Sequence, residues 1–231
     1  MGSSKFSVSR AFGFDPDADT DPIWKLASGN REWDFGGAMK HPPIILASVS
    51  PRRRDLLRQI VPEFGIVDSF ATELHDASMA PRRLCEVNAE RKAWLVAERY
   101  PDHLVLGADT LVFLDDEPLG KPADLDEARR MLGRLSGRIH MVITGVCLIH
   151  RSGARARLFS EATYVRFRVL TAEDIEEYLK LVPVLDKAGS YAIQQEGHRI
   201  VDLVEGSMSN VIGLPVEALR AALDQWGTAG D

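Results

Sequence analysis

Ile44-Ile45-Leu46-Ala47-Ser48-Val49-Ser50-Pro51-Arg52-Arg53-Arg54-Asp55-Leu56-Leu57 is the stretch on which the reading of this chain turns. Ile44 to Ala47 is a short apolar run and reads as a buried strand. Ser50 sits where an N-cap belongs, and Pro51 suits the first helical position. Leu56, Leu57 and Ile60 continue as one apolar face of a helix. A strand therefore turns through Ser48-Val49-Ser50 into a helix. The N-terminus of a helix carries unpaired N–H groups and a partial positive charge, which favour an anion. The Ser48 hydroxyl and the guanidinium groups of Arg52 and Arg53 add donors suited to phosphate. The bland alternative is a capped helix whose arginines point into solvent.

Composition bounds what such a site serves. The chain has 231 residues, 45% hydrophobic and 27% charged, enough to bury a large core in one domain or two. A net charge of −6 argues against a broad nucleic-acid or anionic-membrane surface, although a local basic site is compatible with it. The only two cysteines, Cys85 and Cys147, have no metal-ligand spacing. No apolar run approaches the length of a membrane span and no signal peptide is visible, so a reduced, cytoplasmic setting is expected.

Residues 1–41 are rich in Gly, Ser, Asp and Pro and keep no helix or strand period, which predicts a flexible N-terminal extension. One α/β domain is expected over residues 42–231. Phe64 to Phe70 reads as a second strand and residues 82–99 as a helix. His103 to Phe113 is an apolar strand that Gly107-Ala108-Asp109-Thr110 is expected to interrupt. Leu119-Gly120-Lys121-Pro122 is a turn, and Asp124 with Glu127 forms a capping signal for a helix that Gly137 ends. Residues 140–149 and 157–169 alternate as long antiparallel strands about a turn at Ser152-Gly153. Thr171 caps a helix over 172–182. Asp186 to Gln194 reads as a loop leading into a short strand, with another strand over Ile200–Val204. The last helix is expected to start within Val211–Pro215. Helices and strands alternate first and strands dominate the middle, which predicts an α/β fold on a mixed sheet.

The chemistry-bearing residues fall in four separate segments: 48–54, 109–110, 121 and 186–194. Each is expected at or near a strand end, where open α/β sheets place ligands. The cations Arg52, Arg53, Lys121 and Lys187 suit a polyphosphate. The acids Glu73 and Asp109 suit a divalent metal or a general base. An acid inside an apolar strand must be paired, protonated or functional. Each residue also has a structural alternative: Asp109 as a strand-end cap, the two lysines as solvated loop residues, and His140 as a packed histidine. No G-x-x-x-x-G-K-[ST], G-x-G-x-x-G or H-E-x-x-H pattern is present.

Taken together, Ser48-Val49-Ser50-Pro51-Arg52-Arg53, Gly107-Ala108-Asp109-Thr110 and Gly120-Lys121-Pro122 resemble the Maf proteins. Leu135-Ser136-Gly137 with His140, Thr144-Gly145-Val146, Asp186 to Gln194 and Asn210 to Pro215 extend the resemblance from about residue 43 to the C-terminal helix. The resemblance implies a mixed twisted sheet with flanking helices and a deep, ITPase-like nucleotide cleft. It implies hydrolysis of a nucleoside triphosphate to the monophosphate and pyrophosphate with a divalent cation, Mg or Mn. Asp109 matches the family's catalytic acid, and Ser48, Arg52, Arg53, Glu73, Lys92, Lys121 and Gln194 match cleft residues around substrate or metal. Arg52, Thr110 and Gln194 match the specificity positions of the branch acting on dTTP and UTP. The 7-methyl-GTP branch carries Tyr before the arginines and Gln after the Asp, where this chain has Pro51 and Thr110. Arg54 departs from the pattern, since Gln or another polar residue often follows the arginine pair. The rival readings are a pyrophosphatase for modified nucleotides and a non-catalytic, nucleotide-sensing regulator of cell division. Sensing alone does not need the acids. A homodimer is an open expectation.

Overall fold

The computed structural model describes residues 41–228, so the expected extension lies, apart from His41, outside the described residues. Among them no helix is long and apolar enough to cross a membrane. The chain runs β1 (Ile44–Leu46), α1 (Pro51–Leu57), β2 (Gly65–Ile66), α2 (Pro81–Ala97), β3 (Leu104–Leu114), β4 (Glu117–Leu119), α3 (Leu125–Leu135), β5 (Ile139–His150) and β6 (Arg155–Phe167). It continues as α4 (Ala172–Leu181), a 3-10 turn (Ala188–Ser190), α5 (Gly197–Ile200), β7 (Val201–Glu205), α6 (Met208–Ile212) and α7 (Val216–Thr228).

The strands form one mixed sheet in the order β2-β1-β3-β5-β6-β7, with β4 beside β3. β1 is parallel to β2 and β3; the remaining pairs are antiparallel. The topology makes an opening. β1 pairs with β3 only at Leu104–Leu106, and β4 pairs with the same strand only at Val112–Leu114. Residues 107–111 between them pair with β5 alone among the described strands. Asp109 and Thr110 lie on this open edge, just past the carboxyl end of β1, where α/β sheets take their ligands.

Both faces are covered. α2 lays Ala89, Ala93 and Val96 on Val105 and Cys147, and Leu84 and Cys85 on Leu111, Phe113 and Ile143. On the other face α1 and α7 bring Leu57, Leu219 and Trp226 against Leu106, Ala108 and Val146. α3 and α4 cover the far end through Leu132, Leu135 and Tyr178. Each fully buried Leu or Phe contributes about 1.5–3 kcal/mol relative to exposure. Two glycines set how closely α2 approaches. A Cβ at Gly107 would lie 2.2 Å from the Ala89 carbonyl oxygen, and one at Gly145 would lie 2.3 Å from that of Cys85. Gly145 is directly opposite Asp109 in the ladder.

The structure differs from the sequence expectations at several points. β3 runs unbroken through Gly107-Ala108-Asp109-Thr110, because Gly107 admits the helix and partners from α2 satisfy the acid. The strand expected over Phe64–Phe70 is only Gly65–Ile66 plus the Val67 amide donating to Leu46 O. Beyond it, Asp68 and Ser69 turn the chain by accepting from the amides of Phe70 and Ala71. α1 ends at Leu57, so Ile60 lies in the following turn, and the Ser50 side chain makes no capping bond. No strand follows Gln194; the chain makes turns and the short α5 there. The Val211–Pro215 segment closes α6, which Ser207 caps, and Gly213 at φ 133° separates it from α7. The Thr171 capping box with Asp174, the Asp124 cap and Gly137 at φ 69° are as expected.

Candidate active site

A cleft of about 430 Å³ opens at the free edge of β3, within the size range of small-ligand sites. Ser48, Arg52, Arg53, Glu73, Lys92, Asp109, Thr110, Lys121, Lys187 and Gln194, the full set singled out in the sequence, all line it. Strand alternation divides them. Asp109 faces α2 and Thr110 faces the α1 side.

The α2 side holds an acid–base cluster. The Lys92 ammonium lies 2.6 Å from Asp109 Oδ1 and 2.7 Å from Glu73 Oε1. Asp109 is 2% and Lys92 6% exposed, so little water screens this contact. Asn88, one turn earlier on α2, donates to Asp109 Oδ2 at 3.0 Å. Lys121 approaches the second Glu73 oxygen at 3.6 Å from a largely exposed position. Burial alone would raise the Glu73 pKa, but the charge and hydrogen bond of Lys92, then the charges of Lys121 and Arg53, hold it down to about 2. Both acids are thus held by the protein's own cations.

The α1 side holds a fixed guanidinium. Arg53 donates to Gly213 O at 3.0 Å, to Ser48 Oγ at 3.3 Å and to Thr110 Oγ1 at 3.2 Å. Burial lowers its pKa from the ordinary value, and the charges of Asp109 and Glu73 act the other way. Thr110 Oγ1 lies 2.9 Å from Thr144 Oγ1, and Thr144 donates to Asn210 O, which ties β3, β5 and α6 together. Arg52 pairs at 3.1 Å with Asp186, whose other oxygen takes Lys187 at 2.5 Å. Lys187 is buried and also donates to Pro183 O. The amide of Gly189 donates to Gly120 O at 3.0 Å, joining the Lys187 and Lys121 loops. Gln194 is exposed on the rim.

Asp109 and Thr110 lie in the middle of β3, so the expectation of a place at or near a strand end fails for their own strand, although both stand just past the end of β1. Asn88 has no place in the sequence reading, and Asp186 and Thr144 enter it only within motif segments, without a role of their own. The spacing Asn88–Lys92 on one helix face was the available signal for the first.

Glu73 and Asp109 offer hard carboxylate oxygens, the donor type for Mg or Mn. Among the described residues no group of three or more His, Cys, Asp or Glu could hold a metal ion. Mg commonly takes one or two carboxylates and completes its shell with substrate phosphates and water. The residues present therefore fit a cation shared with a polyphosphate rather than an all-protein cage.

His140 behaves as the packed histidine of the structural alternative. Its Nε2 lies 2.9 Å from the Tyr191 hydroxyl and its ring stacks edge-on to Phe167 and Tyr191. Burial pushes its pKa down from 6.5 to about 4. A folded-state pKa below the unfolded one means that the unfolded chain binds more protons in between. Stability should therefore fall as the pH drops from about 6.5 to about 4, by on the order of 3 kcal/mol, and level off below. Urea midpoints across that range for the parent and His140→Gln test this: the substitution should flatten the slope.

The sequence profile of the family described as Maf-like protein matches residues 43–226. A dTTP/UTP pyrophosphatase from Akkermansia muciniphila is 50% identical over 80% of this chain and 97% of its own length. One from Symbiobacterium thermophilum is 45% identical over 80% of this chain and 94% of its own. A HAM1 protein structure from Coxiella burnetii covers 80% of this chain and 99% of its own, at 13% identity and a TM-score of 0.47.

Proposed function

This chain belongs to the Maf-like protein family, and from that membership together with the cleft geometry we propose that it hydrolyses dTTP and UTP to the nucleoside monophosphate and pyrophosphate. The observation that carries the reading is the single Lys92 ammonium clasped between Asp109 and Glu73, in a cleft that also presents Arg52, Arg53 and Lys121. Cations for a triphosphate and acids for proton transfer or metal stand in one opening.

The triphosphate lies among Arg52, Arg53 and Lys121, which neutralise its charge, with the Ser48 hydroxyl as a further donor. Its charge draws the Arg52 guanidinium away from Asp186 and onto phosphate, while Lys187 keeps Asp186 in place. Asp109 accepts the proton of the water that attacks the α-phosphorus, and pyrophosphate leaves. Lys92 pairs with that carboxylate at 2.6 Å inside a nearly dry wall. Glu73 and Asp109 would hold a divalent cation, which supplies charge neutralisation on the phosphate oxygens when bound.

Gln194 both donates and accepts, matching the O4 and N3–H edge of thymine or uracil. Arg52 and Thr110 stand on the same cleft wall system, and Thr110 is fixed by Arg53 and Thr144. A site that hydrogen-bonds a substrate group rejects analogues lacking it. We expect dTTP and UTP to exceed GTP and 7-methyl-GTP in kcat/KM by at least about tenfold, or roughly 1.4 kcal/mol. Thr110→Gln should erode that preference. Pyrophosphate release across this nucleotide panel tests the reading; equal rates on pyrimidine and methylated purine nucleotides would remove the substrate assignment, and no release from any would remove the enzyme.

A further inference from the structure

Asn88 makes three contacts with one planar group, and none of them belongs to a helix cap or a turn. Its Oδ1 accepts from the Leu74 amide at 2.8 Å. Its Nδ2 donates to the Leu74 carbonyl at 3.0 Å and to Asp109 Oδ2 at 3.0 Å. The orientation of the carboxamide follows from chemistry, because the Leu74 amide can only donate and a carboxylate oxygen takes the donor. Asn88 is 1% exposed, so water cannot stand in for it.

The consequence reaches both acids. Leu74 follows Glu73 directly, so the carboxamide clamps the backbone that carries Glu73. The same group holds the second oxygen of Asp109, while Lys92 holds the first. Asn88 and Lys92 are four residues apart on α2, hence on one face. α2 in turn lies close against the sheet because Gly107 and Gly145 have no Cβ to hold it off. One helix face thus sets the rotation of the Asp109 carboxylate and the place of Glu73 relative to it.

We propose that Asn88 is a positioning residue for the pyrophosphatase reaction: it fixes the plane of the Asp109 carboxylate and locks the Glu73 segment in register with it. The inference rests on the pyrophosphatase reading above. No other single side chain of that length supplies one acceptor and two donors in a plane; Leu supplies none, and Asp supplies the acceptor only. Reacting groups need placement to about 0.5 Å, and an error of about 1 Å costs on the order of 10²-fold in rate.

The test uses the full chain with Asn88→Leu and Asn88→Asp, steady-state pyrophosphate release from UTP, and hydrogen exchange at the Leu74 amide. Asn88→Leu removes all three bonds, whereas Asn88→Asp keeps the acceptor for Leu74 N and the side-chain shape but turns an acceptor oxygen toward Leu74 O and Asp109 Oδ2, where the amide donated. Leu74 exchange should accelerate in the first and stay slow in the second. In both, kcat should fall by at least about tenfold while the KM for UTP stays within about threefold, because placement of the acid is lost and binding of the substrate is not. If Asn88→Asp keeps slow Leu74 exchange and a kcat within about twofold of the parent, Asn88 is only a loop staple and the proposal is overturned. A loss confined to KM overturns it as well. Should Asn88→Leu fail to fold, Asn88→Asp carries the decision alone. A parent chain that releases no pyrophosphate fells the pyrophosphatase reading, and this inference with it, before any variant is compared.

Discussion

Asp109→Asn should abolish nearly all turnover, a loss of about 10²–10⁴-fold, the usual cost of removing a general base. The substitution keeps the shape of the side chain but changes what it offers. Both neighbours of the Asp109 carboxylate are donors, the Lys92 ammonium at 2.6 Å and the Asn88 amide at 3.0 Å. An amide has a single acceptor oxygen, so one of those donors loses its partner. A buried group left unpaired costs about 1–3 kcal/mol, a part of the roughly 5–15 kcal/mol that holds a domain folded. The variant should therefore remain folded, with a lowered thermal midpoint, and bind nucleotide without hydrolysing it. Retention of more than about a tenth of the parental rate would remove Asp109 from the role of base.

Lys92→Met should be the most damaging change to stability. The ammonium is the counter-charge for two carboxylates at once, and methionine fills the space without the charge. Removing one partner from a buried ion pair costs about 3–5 kcal/mol, because the remaining charges stay out of water without compensation. For a chain of this size that corresponds to a drop of roughly 6–20 °C in the thermal midpoint. The sign of the pH dependence also follows. Lys92 is the foremost of the charges that hold the Glu73 pKa down to about 2, so its loss lets that pKa rise. A carboxyl that protonates no longer needs the missing partner. The deficit of the variant relative to the parent should be largest near neutral pH and shrink as the pH is lowered. A midpoint within a couple of degrees of the parent at neutral pH, against the roughly 6–20 °C expected, would mean that solvent reaches the cluster and screens it.

The parts of the fold legible in the sequence are those set by local chemistry. Ile44 to Leu57 reads correctly as strand, turn and helix because an apolar run and Pro51 act on their immediate neighbours. The β5–β6 hairpin follows from alternation around Ser152-Gly153, and α4 from Thr171 and Asp174. What the sequence hides is decided by distant partners. Asp109 looks like a break in an apolar strand, yet the strand continues because Lys92 and Asn88 arrive from a helix about twenty residues earlier. Gly107 reads as part of a break in its strand and Gly145 only as part of a motif within a strand, and both are the floor on which α2 rests. The Phe64–Phe70 run has strand-like composition, but β2 is the edge of the sheet and Asp68 and Ser69 bend it away after Ile66. The cations and acids of the cleft were visible as residue types. That Arg53 is fixed by three oxygens while Arg52 is paired with Asp186 was not, since that distinction depends on Gly213 and Asp186 from the far end of the chain.

The proposed reaction turns on water attacking the α-phosphorus of a pyrimidine nucleoside triphosphate. Hydrolysis of UTP in water enriched in heavy oxygen, with products read by phosphorus NMR, tests that step directly. The expected products are UMP and pyrophosphate, with the heavy oxygen on the UMP phosphate and none on the pyrophosphate. Heavy oxygen on the pyrophosphate, or UDP and inorganic phosphate as the products, would contradict it.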